Sequence, residues 1–325
     1  METPRGRADA DGPFSFTLLA LIRATRSVGV IGLGIMGSAM AANLSRAKYR
    51  VIGYDVLEAR RRALRRAGGQ TANDCGDVAR QAGVVICSLP SSEAMRQVAG
   101  ELAAAGRPKL VVIETSTLPI AVKEAARQTL AAGGATLLDC PLSGTGSQAR
   151  VKDLVVLASG DRRAYRRIAP VLDAFARARF HVGDFGAGSK MKFVANLLVA
   201  IHNVAAAEAL VLAMKAGLDP ATVYEVISAG AGSSRMFQVR GPMMVKGDYS
   251  RALMKLGVWQ KDMAVIGEFA RAVGAPTPLF AATAPIYTAA TEAGGDEDTA
   301  AVCRVLEKTA GVRRKWKVQS AKVEK

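Results

Sequence analysis

Apolar and polar positions divide this chain into two stretches that follow different rules. From residue 28 to about residue 182, short apolar runs alternate with amphipathic ones. Residues 28–31, 50–54, 84–89, 110–113 and 135–138 read as strands with almost no polar face, and residues 93–105 and 121–132 carry a helical period between them. Strands that are apolar on both faces belong inside a parallel sheet covered by helices on each side. Residues 153–159 and 176–182 read as two added strands around a helix at 162–176. Past Gly217 the pattern is helical only, with segments at 221–229, 235–245, 254–273, 279–293 and 300–310 punctuated by Gly and Pro. The expected architecture is α/β: a doubly wound parallel sheet over residues 28–188, then an all-α domain over residues 189–312.

A long apolar stretch, residues 186–216, joins the two and is expected to be a single interdomain helix. Gly186 and Gly188 break the preceding strand, Ser189 reads as the N-cap, and Gly217 followed by Asp219-Pro220 supplies the stop. At 1.5 Å per residue it spans roughly 40 Å. Two polar residues near its start, Lys192 and Asn196, are four apart and project from one side, whereas Lys190 points elsewhere. A lysine in the first turn feels the positive end of the helix dipole, and burial disfavours its charge; both push its pKa toward the range of a general acid or base. A snorkelling lysine beside a loop-capping amide is the plainer alternative.

Chemistry also gathers at the strand ends. The first strand runs into Gly32-Leu33-Gly34-Ile35-Met36-Gly37, and a helical pattern follows. In a G-x-G-x-x-G loop the first glycine permits the turn, the second admits a pyrophosphate to the backbone, and the third lets helix and strand touch. Asp55, at the end of the second strand, stands where an acidic residue holds the ribose 2′-hydroxyl of NAD and repels the phosphate of NADP. NAD is therefore expected over NADP, with Arg60, Arg61 and Arg62 read as a solvated helix face. The sheet is thus a Rossmann domain, and ligands bind beyond its carboxyl ends. The residues there are Leu89-Pro90-Ser91, residues 114–117 (ETST) and residues 139–146 (DCPLSGTG). The last combines a hydroxyl with a glycine-bearing turn, which suits a carboxylate or serves as an ordinary loop.

The chain has 325 residues, half of them hydrophobic, enough for two cores. No apolar run is expected to reach the roughly 20 residues of a membrane span. Residues 1–27 are read as a disordered extension and residues 313–325 as a basic tail. Cys75, Cys87, Cys140 and Cys303 lack C-x-x-C spacing and only two histidines exist, so no metal site is expected, and a reducing, cytoplasmic location fits. The net charge of +16 is spread over helix-like segments, with 5% aromatics. A solvated surface that attracts small anions accounts for it better than a nucleic-acid partner.

GLGIMG, ETSTL (114–118), DCPLSGTG and GAGSKMKFVAN (186–196), together with Lys261-Asp262, resemble the β-hydroxyacid dehydrogenase family over residues 28–311. The resemblance implies an NAD(P)-dependent oxidoreductase that interconverts a small 3-hydroxy acid and its semialdehyde, and a small carboxylate substrate. It implies Lys192 as the proton-transferring residue with Asn196 positioning it. It also implies Ser143 and Gly144 at the substrate carboxylate, Thr117 near the nicotinamide and Lys261 closing over the cofactor. Two departures stand beside the substrate: Thr145 replaces a glycine, and Ala195 precedes Asn196 where paired asparagines are usual. An imine reductase of similar fold, and a non-catalytic cofactor-binding protein with a nucleic-acid partner, are the alternatives that Lys192 argues against. The apolar long helix predicts a homodimer or homotetramer through the helical domain.

Overall fold

Six short segments, all but the third largely apolar, pair in parallel to make the central sheet: β1 (Ser27–Ile31), β2 (Arg50–Tyr54), β3 (Gln70–Thr71), β4 (Val84–Cys87), β5 (Val111–Glu114) and β6 (Thr136–Asp139). Their order is β3-β2-β1-β4-β5-β6, with Val28 opposite Val51 on one side and Val84 on the other. The order reverses between β1 and β4, so the loops after these two strands flank the crevice where such sheets bind ligands. The computed structural model describes residues 27–312 and Arg314. The extension expected at 1–27 therefore lies outside the described residues, except for Ser27, which opens β1. The basic tail lies outside them too, except for Arg314, which donates to the carbonyls of Met244 and Val245 and pairs with Glu307.

The added strands do not extend this sheet. β7 (Leu142–Ser143), β8 (Val155–Ala158) and β9 (Ala178–His181) form a second one, with β7 antiparallel to β8. A bridge between Asp139 and Ser159 joins the two sheets. Four elements escaped the sequence pattern: β3, β7, the helix Cys75–Gln81 and the helix Gly146–Arg150. Each is too short to show a period.

The long helix runs from Ala187 to Lys215 and packs at the centre of the helical half. Asn203 on its buried face donates to Tyr287 Oη and to the Thr299 carbonyl, fixing later helices to it. Its most apolar 18-residue window has a mean hydropathy of 1.9, so, against expectation, it is long and apolar enough to cross a membrane; half of that window is buried within the protein. Gly186, at φ 91°, is the N-cap, and no side chain caps the helix. Ser189 is not the cap but lies inside the first turn, where its Oγ and N–H donate to Asp139 Oδ1 and Oδ2, both at 2.8 Å.

That contact belongs to a buried ionic cluster at the carboxyl ends of β5 and β6. Lys123 Nζ lies 2.6 Å from Glu114, 2.8 Å from Asp139 and 2.7 Å from the Ser116 carbonyl, and all three charged side chains are fully buried. Burial works against the Lys123 charge, but the two carboxylates outweigh it and raise its pKa. The start of the long helix is thus pinned to the Rossmann domain by a buried cluster of one ammonium and two carboxylates.

Candidate active site

The glycines of the first loop differ in what surrounds them. A Cβ on Gly32, at φ 86°, would meet the Ser88 carbonyl oxygen at 2.1 Å, and one on Gly37 would meet the Gly32 carbonyl oxygen at 1.8 Å. These two let strand and helix pack. At Gly34 the nearest atom to such a Cβ is Arg60 Nη1 at 3.9 Å, so space remains above the start of helix Ile35–Arg46. Unpaired N–H groups at a helix start, beneath open space, suit a pyrophosphate. Leu33 is buried in the core, Ile35 is exposed against the Gly146 turn and Met36 packs below.

Asp55 is buried and accepts from Leu33 N (2.7 Å) and Leu57 N (2.9 Å), which locks the glycine loop to the end of β2. The arginines after it are not merely a solvated face. Arg60 pairs with Asp55 at 3.1 Å and Arg61 donates to the Asp55 carbonyl, whereas Arg62 remains in solvent. An acidic group and an arginine therefore share the corner where a ribose 2′ position is read.

At the other strand ends, Leu89 N donates to Ser116 Oγ at 2.7 Å, with Pro90 exposed beside it. Thr117 is tied across the domains, because Lys261 Nζ donates to its carbonyl at 2.7 Å. The pair expected to meet the cofactor from opposite sides is thus in direct contact.

Ser143, Gly144 and Thr145 open into one cavity of about 380 Å³ together with Lys192 and Asn196. Gly144 adopts φ 135°, and a Cβ there would press on Leu154 at 2.7 Å. Thr145 caps helix Gly146–Arg150: its Oγ accepts from Gln148 N and its own N–H donates to Gln148 Oε1. Its backbone donor is therefore taken, which leaves Ser143 Oγ and the Gly144 N–H for an anion. Lys192 is half-buried; burial lowers its pKa, opposed by the Asp262 charge. Asn196 donates to Asp262 Oδ2 at 3.2 Å. Burial raises the Asp262 pKa, against the opposing pull of Lys261 and Lys192. A proton acceptor, an amide fixed by a carboxylate and a hydroxyl-bearing turn thus share one enclosure, the arrangement that alcohol oxidation requires.

Sequence reasoning missed Arg177, Arg235 and Arg240, which line the same cavity. Asp262 stood beside a noticed lysine, but its contact with Asn196 spans 66 positions and has no local signal. Among the described residues no cluster of His, Cys, Asp and Glu could hold a metal ion.

Comparison with known proteins agrees with this geometry. Residues 27–183 match the NAD-binding domain of 6-phosphogluconate dehydrogenase, and residues 186–306 match the NAD-binding domain of NADP-dependent 3-hydroxyisobutyrate dehydrogenase. The chain is 35% identical to L-threonate dehydrogenase of Cupriavidus necator, over 87% of this chain and 96% of that one. It is 31% identical to 2-(hydroxymethyl)glutarate dehydrogenase of Eubacterium barkeri, over 88% and 96% respectively. The crystal structure of 3-hydroxyisobutyrate dehydrogenase from Salmonella typhimurium superposes with a TM-score of 0.78 at 32% identity, covering 86% of this chain and 99% of that one. The matches over both halves show that the chain belongs to the β-hydroxyacid dehydrogenase family and is an NAD(P)-dependent hydroxyacid dehydrogenase.

Proposed function

We propose that the enzyme interconverts a short 3-hydroxy acid and its semialdehyde, with Lys192 as general acid and base and NAD preferred over NADP. The observation that carries this reading is a lysine with a lowered pKa in the same cavity as Ser143 and Gly144. The nicotinamide, when bound, supplies the hydride acceptor or donor. The neutral Lys192 amine takes the hydroxyl proton during oxidation, and its ammonium returns that proton to the carbonyl oxygen during reduction. Asp262 holds Asn196, and Asn196 orients the reacting oxygen toward Lys192. Ser143 Oγ and the Gly144 N–H receive the substrate carboxylate. Lys261, bound to the Thr117 carbonyl, holds the domains together over the cofactor crevice.

Absorbance of NAD(P)H with a panel of short 3-hydroxy acids and semialdehydes tests the reaction. Turnover on at least one member is expected, faster with NAD than with NADP; equal or better use of NADP overturns the role given to Asp55. Exposed Leu212, Val226 and Leu218, at 72%, 66% and 55%, flank an apolar groove between the long helix and helix Pro220–Ala229. Burying them in a homodimer or homotetramer accounts for it, and a monomer by light scattering at micromolar concentration speaks against it. The four cysteines are free and buried, which fits the cytoplasm.

A further inference from the structure

Four cations line the substrate cavity; two of them are ion-paired within the protein, and Lys192 feels the charge of Asp262 without pairing with it. Arg177 Nε binds Asp153 at 2.7 Å and Arg240 Nε binds Asp298 at 3.0 Å. Arg235 forms no salt bridge among the described residues. Its field reaches Asp153, but that carboxylate is already held by Gln148 and Arg177. Arg235 opens the helix Arg235–Lys246, and Arg240 follows on the same helix. The guanidinium of Arg240 is buried, and its Nη1 has only the thioether of Met236 as acceptor, at 2.8 Å. A thioether is a weak acceptor, and an oxyanion there replaces it with gain.

The cavity also extends beyond the reacting centre. It follows the long helix from Lys192 through Asn196 to Val199, seven residues or roughly 10 Å of helix. Among the residues that line it, Val155, Val199, Met236, Val239, Met254 and Trp259 supply the apolar part of the wall. Apart from the Trp259 indole N–H they offer no hydrogen-bonding side chain, so a chain of hydroxyl groups finds little there, while methylenes fit. A three-carbon acid ends at Ser143 and Lys192 and leaves this length unused.

We propose that the substrate carries a second carboxylate, joined to the reacting end by a short apolar stem, and that Arg235 and Arg240 bind it. This rests on the placement of the reacting end at Lys192, Ser143 and Gly144. Guanidinium groups match the planar geometry of a carboxylate, and Arg235 supplies a charge that no salt bridge among the described residues offsets.

Two alcohols with the same reacting end test it: 2-(hydroxymethyl)glutarate, with a terminal carboxylate, and 2-(hydroxymethyl)pentanoate, with a methyl in its place. The expected result is a kcat/KM roughly ten- to hundredfold higher for the dicarboxylate, the range for a charge-assisted contact. Arg235→Gln, a change at an exposed position, brings that ratio toward one. Competition by glutarate, and none by butyrate at equal concentration, supports the same subsite without turnover. Equal use of the two alcohols by the wild type, or a ratio unmoved in Arg235→Gln, overturns the proposal and leaves the dehydrogenase reading standing. Turnover of neither, with NADH still bound, overturns the placement of the reacting end and the proposal with it.

Discussion

Two lysines, one fully buried and one half-buried, stand on either side of the junction between the halves, and they are held in opposite ways. Lys123 is enclosed by Glu114 and Asp139 at ion-pair distance, and its pKa is raised. Lys192, one turn into the long helix, makes no such pair; burial dominates and its pKa is lowered. Burial is common to both, so it does not decide what a lysine does. Pairing separates them: a matched charge stays a permanent structural cation, whereas an unmatched one is free for the proton transfer proposed for Lys192. Through Asp139 and Ser189 the structural cluster fixes the turn from which the working lysine projects.

The comparison breaks first in turnover. Lys192→Ala is expected to lower kcat by about 10²–10⁴, the usual contribution of general acid–base catalysis. NADH affinity, read by fluorescence, should stay close to wild type. A variant that keeps most of its turnover removes Lys192 from the chemistry. Lys123→Met acts on stability instead, because it leaves two buried carboxylates facing each other. A loss of about 3–5 kcal/mol is expected in denaturant titration. Combining it with Glu114→Gln and Asp139→Asn should restore part of that loss. A single variant no less stable than wild type would show the cluster to be dispensable.

A smaller effect tests the link between the two lysines. Ser189→Ala removes one hydrogen bond to the buried Asp139 carboxylate, for which about 1.5–3 kcal/mol is expected. An unchanged melting temperature would mean that the backbone N–H of Ser189 anchors the helix by itself.

How much of this was readable in the chain depends on the distance over which each feature is specified. The strand at residues 50–54 and the long helix were legible almost to the residue, because periodicity and glycine breaks are local. Gly32, Gly34 and Gly37 were legible for the same reason. Ser189 was misread as a cap, since capping preference is local but its partner Asp139 lies 50 positions away. Arg60 is exposed as expected, but its ion pair with Asp55 was not legible, because a helix face says nothing of a side chain that curls back to the preceding strand end. Arg235 and Arg240 sit on a helix with ordinary charge content, and only the packing of that helix beside Lys192 turns them toward substrate.

The finest distinction between the lysines is the single charge that Lys192 does feel. Asp262 raises its pKa against the larger lowering by burial. In the wild type, oxidation requires the neutral amine, so its rate rises as pH climbs through a lysine pKa that lies below the ordinary value. Reduction requires the ammonium and falls over the same interval. Asp262→Asn removes the negative charge while an amide side chain can still meet Asn196. With that opposing influence gone, the Lys192 pKa drops further, and both limbs should move to lower pH. The measurement is kcat/KM against pH in each direction, with NAD or NADH saturating. Limbs that shift to higher pH, or do not move, would mean that Asp262 acts only by holding Asn196. A matching shift in both directions assigns the ionisation to one group, as a single lysine serving as base and acid requires.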